Sequence, residues 1–295
     1  MTGGASFTVS DHDGVLVGPV RHPENFSKNA VGSIHDDDSA KALGFRGGTV
    51  AANIHFEQFP PLINAAFGQD WLRNGGLSLF SLNATTDGEP VQACVGPVEV
   101  RADGGRRAKA WMVTPAGVRV SEGSASIGGP DEASALREKL RAVRPPGNLR
   151  ILAGSRVGDG VFNIPSRLES AATAPRLASI TETMTAYTDP GPYGGLVAAP
   201  SVAIDALRAV EGPLFRLNGP VVGLFGAIEL QYLDGPIFID RDYLTDGRVV
   251  ALSDSPKTEV VWYESVLRPA CGGAPVARLI MMSRLLKASS PLWAQ

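Results

Sequence analysis

The sequence predicts an α+β protein made of two copies of one unit, a helix followed by an antiparallel meander. Three observations carry this. The apolar pattern of the first half changes once, from helical to alternating; the order of its features returns at nearly half the chain length; and a charged stretch separates the two copies.

Residues 1–32 are turn-rich, with short β-type pieces at Phe7-Thr8-Val9 and from Gly14 to Val20, and with His12 and His22 as solvated loop residues. A helix is expected over 49–68. Its apolar positions, among them Val50, Ile54, Phe56, Phe59, Leu62 and Ile63, go most of the way round the cylinder, as in a helix enclosed by other structure. Pro60-Pro61 must kink or split it, because neither proline can donate to the helical ladder. From Leu77 the period becomes two. Strands are expected at 77–82, 90–95, 98–101, 108–113 and 118–127, joined by turns such as Asp87-Gly88 and Asp103-Gly104. A charged helix from Asp131 to Val143, closed by Arg144-Pro145-Pro146-Gly147, reads as a linker.

After it the first pattern returns. Gly47-Gly48-Thr49-Val50-Ala51-Ala52 is answered by Gly194-Gly195-Leu196-Val197-Ala198-Ala199; Leu79-Phe80 by Leu224-Phe225; Asp87-Gly88 by Asp234-Gly235; and Trp111 by Trp262. Four matches in one order indicate a duplication, with domains at 1–128 and 156–295 and a linker at 129–155. Two such units most simply pair face to face as an internal pseudo-dimer. The copies differ in chemistry: all four histidines lie at or before residue 55, so one copy is expected to carry the site.

Composition narrows the function. A net charge of −3 gives no basic footprint for nucleic acid and no attraction to an anionic membrane. No run of eighteen apolar residues suggests a membrane span, and the N-terminal segment lacks the features of a signal peptide. Cys94 and Cys271 read as two buried thiols of a cytoplasmic protein, and two cysteines alone make no zinc site. No metal or cofactor is expected: the chain has no nucleophile elbow, phosphate-binding loop, dinucleotide fingerprint or spaced ligand cluster.

The polar residues from 33 to 57 are the candidates. His35 precedes Asp36-Asp37-Asp38; it is either a loop residue beside helix-capping acids, with Asp37 and Ser39 as caps, or an acid–base group oriented by a carboxylate such as Asp36. Gly48 either lets backbone N–H groups approach a ligand at the helix start or serves close packing. His55 and Glu57, polar residues on an enclosed helix, are either a buried hydrogen-bonded pair or a second acid–base pair.

Ile34-His35, then Ala40-Lys41-Ala42-Leu43-Gly44-Phe45-Arg46-Gly47, then the Val50-Ala51 helix opening, resembles the MaoC-like (R)-specific enoyl-CoA hydratase/dehydratase family. That resemblance implies a tandem (double) hot-dog fold, each half a central helix wrapped by an antiparallel sheet, and a chain that either pairs internally or forms a homodimer of double hot-dogs. It implies a lyase acting on a small-molecule acyl thioester of coenzyme A or a carrier protein. His35 would be the acid–base group, supported by Asp36, His55 or Glu57, while Gly48, Asn53 and Phe56 would hold the substrate. The family motif Asp-x-Asn-Pro-(Ile/Leu/Val)-His is only part-kept, with Ala30, Gly32 and Ser33 at its Asp, Asn and Pro positions and Ala52-Asn53 replacing a His-Gly pair. A diverged reaction such as isomerisation or cyclisation, or a non-catalytic thioester-binding or assembly subunit, is the alternative.

Overall fold

The computed structural model describes residues 9–68 and 71–294, so the Phe7-Thr8 part of the first β-type piece lies outside the described residues. The first half runs through β1 (Ser10–His12), β2 (Val15–Val17), a short helix α1 (Asp37–Ala42), α2 (Ala52–His55), α3 (Pro60–Phe67) and α4 (Trp71–Asn74). It continues with β3 (Gly76–Ser81), β4 (Gln92–Val95), β5 (Glu99–Val100), β6 (Arg106–Val113) and β7 (Arg119–Ile127). The helix α5 (Ala135–Arg141) follows. The second half then runs β8 (Gly160–Arg167), α6 (Ser170–Ser179), α7 (Pro200–Leu207), α8 (Glu211–Leu214), β9 (Gly223–Tyr232), β10 (Asp242–Asp254), β11 (Thr258–Pro269) and β12 (Ala277–Leu286).

The strands form one antiparallel sheet in the order β1-β2-β4-β6-β7-β3-β9-β12-β11-β10-β8, with β5 attached to β6. Reading outward from the central β3–β9 pair, the two sides match step for step: β7 with β12, β6 with β11, β4 with β10, β2 with β8. This is the duplication in three dimensions. The loops before the two helices match too: Thr49 N–H donates to Ile34 and Val50 N–H to Thr85, as Val197 N–H donates to Ala186 and Ala198 N–H to Ile237.

The long helix expected over 49–68 is split. Pro60 is the first residue of α3, where its missing N–H costs nothing, and a 3-10 turn at Phe56–Gln58 joins α3 to α2. Phe56, Phe59, Leu62 and Ile63 share one core with Val202, Leu207 and Leu230 of the second half, so the two units bury their apolar faces together. His12 and His22 are exposed. Cys94 is buried, whereas Cys271 is exposed, because it sits in the turn between β11 and β12 rather than in a strand.

The charged helix is shorter than the expected 131–143. Asp131 leaves the helix to pair with Arg107, and Ser134 caps α5 by accepting from Arg137 N–H at 3.3 Å. The helix packs on β3, β7 and β9, across the seam between the halves. There Leu136 N–H donates to Ser78 Oγ at 3.1 Å, Arg137 Nε donates to the buried Glu229 carboxylate at 3.1 Å, and Ser134 Oγ donates to that same carboxylate. Ser134 thus serves a helix end and a buried charge together. Its replacement by alanine is expected to cost about 1–2 kcal/mol of unfolding free energy, read by urea denaturation. A cost below the error of the fit would remove Ser134 from this account.

Candidate functional site

The segment carrying His35 is clamped against the approach to α2. Thr49 donates to the carbonyl of Ile34 through both its N–H (2.8 Å) and its hydroxyl (3.2 Å), and Asn25 Nδ2 donates to the carbonyl of His35 at 2.8 Å. In return, the half-buried His35 ring donates from Nδ1 to the carbonyl of Thr49 at 2.7 Å. A carbonyl can only accept, so Nδ1 carries the proton and Nε2 of the neutral ring keeps its lone pair.

His55 lies on the first turn of the central helix, buried, with Nε2 2.8 Å from the Thr85 hydroxyl; its Nδ1 has no partner. Burial pushes its pKa down to about 4, so this imidazole is neutral across the physiological range. Both histidines line one cavity of about 870 Å³. Phe56 joins them from the helix, Leu79 and Ser81 from β3, and Phe225 and Ile228 from β9 of the other half. An apolar pocket with two convergent imidazoles is the form taken by small-molecule sites.

The remaining candidates go elsewhere. Asp36 caps α1, accepting from Ser39 N–H (3.1 Å) and Ser39 Oγ (2.6 Å), bonds that draw its pKa below the usual carboxylate value. Asp37 is not that cap: it accepts from Gly48 N–H at 2.8 Å and from Lys41. The Gly48 N–H is therefore already used. A side chain at Gly48 would meet the His35 carbonyl at 2.3 Å, so this glycine serves close packing.

Glu57 does not pair with His55. Its Oε1 accepts from Ser201 N–H in the first turn of α7 at 2.6 Å, Oε2 has no partner, and burial pushes the pKa up to about 7. Asn53 also faces Ser201, with Nδ2 3.5 Å from its carbonyl. The reason is helical spacing: residues 53 and 57 lie one turn apart on the face turned to the other half, while 55 and 56 point into the cavity. No described carboxylate hydrogen-bonds to His35, and Ala30 is exposed in its loop. The backbone carbonyl of Thr49 orients the ring instead.

Sequence reasoning missed Thr49 and Thr85. Thr49 lies in the repeated glycine-pair block but acts through its backbone carbonyl, and Thr85 comes from the loop after β3, 30 residues from His55. It also left the second copy's equivalents unassigned. By the shared hydrogen-bond pattern, Tyr187 stands where His35 stands and Ala203 where His55 stands. Tyr187 is 2% exposed and packed in the core. The second copy has neither imidazole.

No protein-family model matches the sequence. No curated protein matches it either. Solved structures do. One is designated a MaoC domain protein dehydratase, from Chloroflexus aurantiacus: 14% identity, 97% of this chain and 98% of that one, TM-score 0.61. Another is a conserved hypothetical protein of Mycobacterium tuberculosis with a double hot-dog fold: 12% identity, 95% and 96% of the two chains, TM-score 0.61. This chain is a double hot-dog. A third similar structure, a MaoC-like dehydratase, gives 13% identity, 94% and 97% coverage and a TM-score of 0.54. At these identities the likeness is one of fold, and it extends over both halves of the double hot-dog. Among the described residues no helix is long and apolar enough to cross a membrane, and no group of His, Cys, Asp and Glu is arranged to hold a metal ion.

Proposed function

We propose that the chain is a hydratase/dehydratase-type lyase acting on an acyl thioester, with His35 as its acid–base group. The observation that carries this reading is the His35 ring, its Nδ1–H fixed on the Thr49 carbonyl and its edge lining an apolar cavity. In the hydration direction Nε2 takes a proton from water, the hydroxyl adds at the β-carbon of an enoyl thioester, and Nε2 then passes that proton to the α-carbon, which regenerates the neutral ring. Dehydration is the reverse. Negative charge grows on the thioester oxygen during either step, and the first-turn amides of α2 near Ala52 have no helical carbonyl before them to bond. His55, kept neutral, contributes a hydrogen bond rather than a charge at the same cavity. Asp36 and Glu57 take no part in this step. The fold shared with MaoC-like dehydratases supports the same reaction class.

One observation favours a second reading. His35 has no carboxylate partner among the described residues, so the cavity could hold an acyl thioester without turning it over. The two are separated by incubating the protein with 2-enoyl and 3-hydroxyacyl thioesters of graded chain length and following the conjugated double bond. Turnover establishes the lyase. Saturable binding with no change in the double bond establishes the binder.

A further inference from the structure

The cavity does not stop at the histidines. β3 and β9 pair from Gly76–Gln231 only to Phe80–Ala227, and beyond that point the strands part, with β9 continuing along β12 to Gly223. A bulge in the β12 register between Met282 and Ser283, opposite Gly226, accompanies the opening. Gly226 leaves room there for the ends of the Met282 and Arg284 side chains, since a Cβ at this position would lie 2.0 Å from Met282 Cε and 2.7 Å from Arg284 Nε. The cavity is lined by residues of both faces: Phe225 and Ile228, which pack with the main core, and Trp262 and Met282, which belong to the smaller cluster under α5. It therefore passes through the open end of the seam.

The lining of the same cavity includes three cations, Arg144 in the loop after α5, Lys257 in the turn after β10, and Arg284 on β12. None forms an ion pair with a described carboxylate. Arg284 is half-buried and lies over the Phe80 ring at 5.2 Å, and burial draws its pKa below the ordinary guanidinium value. The acid on this rim, Asp254, is already engaged by Gly147 N–H at 2.9 Å and Lys287 Nζ at 3.4 Å. Arginines elsewhere on the same face, Arg137 and Arg278, are paired with glutamates. A half-buried guanidinium kept unpaired beside two free cations, in a chain of net charge −3, is a site prepared for an anion.

We propose that Arg144, Lys257 and Arg284 bind the phosphate of the substrate's carrier handle, which threads the seam so that the acyl end reaches His35. This rests on the thioester reading above. The handle is a phosphorylated pantetheine, either free coenzyme A or the prosthetic group of a carrier protein. The test is calorimetric binding of four non-reacting probes: coenzyme A, 3′-dephospho-coenzyme A, phosphopantetheine and pantetheine, to the wild type, R284Q and K257Q. K257Q changes an exposed side chain and guards against a folding defect in R284Q. The wild type is expected to bind phosphopantetheine at least about tenfold more tightly than pantetheine, and R284Q to lose most of that preference. A further loss on removing the 3′-phosphate assigns free coenzyme A. Equal binding of coenzyme A and phosphopantetheine, with tighter binding of a phosphopantetheinylated carrier protein, assigns the carrier. Wild type that does not distinguish phosphopantetheine from pantetheine, or variants that keep the full preference, overturn the site. Phosphate-dependent binding without turnover of any thioester would overturn the lyase reading alone.

Discussion

Replacing His35 by alanine is expected to lower kcat/KM on enoyl thioesters by roughly 10²- to 10⁴-fold, with the loss mainly in kcat. The imidazole is the cavity group whose geometry fixes a free lone pair, since its Nδ1–H is committed to the Thr49 carbonyl. His55 cannot take over. Its Nε2 is held by Thr85, and burial lowers its pKa to about 4, so it is too weak a base at neutral pH. Removing the ring also leaves the Thr49 carbonyl without its donor, so unfolding curves must accompany the kinetics. H35A that is folded and inactive supports the lyase. Full turnover by H35A moves the chemistry off His35, and acyl-thioester binding that is equal in wild type and variant without turnover in either supports the binding protein.

Several features of this site were legible in the sequence, and the reasons others were not are physical. The duplication could be read because glycine pairs and turn glycines recur in one order in both halves, although the hydrogen-bond pattern shifts the pairing by one residue, so that Leu196 rather than Gly195 stands where Gly48 stands. The break at Pro60 could be read because proline has no N–H to donate. The direction of Glu57 could not. A helix apolar most of the way round has no single outward face, and the group that receives Glu57 is a backbone N–H 144 residues away. That Ala30 stands where the resembled motif has an aspartate was visible, but the group that orients the ring was not, because a backbone carbonyl such as that of Thr49 exists at every residue. The cationic rim was invisible for a related reason. Arg144, Lys257 and Arg284 belong to three elements that meet only when the sheet forms.

Glu57→Gln is expected to change how stability depends on pH, and the direction follows from two buried groups with opposite shifts. Glu57 titrates near 7 in the fold against 4.5 as its ordinary value. Between those values the folded state holds a proton that the unfolded chain has released, so stability falls as pH rises through this window. His55 titrates near 4 in the fold against 6.5 ordinarily. Between those values the unfolded chain holds the extra proton, so stability rises with pH. From about 4.5 to 6.5 the two slopes oppose and nearly cancel in the wild type. The glutamine amide can still accept from Ser201 N–H through its oxygen, but it has no proton to lose. In E57Q the His55 slope is therefore unmasked, and the variant gains on the wild type by about 3 kcal/mol as pH rises from 4.5 to above 7. Urea unfolding of both proteins at closely spaced pH values measures that difference directly. Parallel profiles would mean that Glu57 titrates normally in the fold and that water reaches the carboxylate between the two helices.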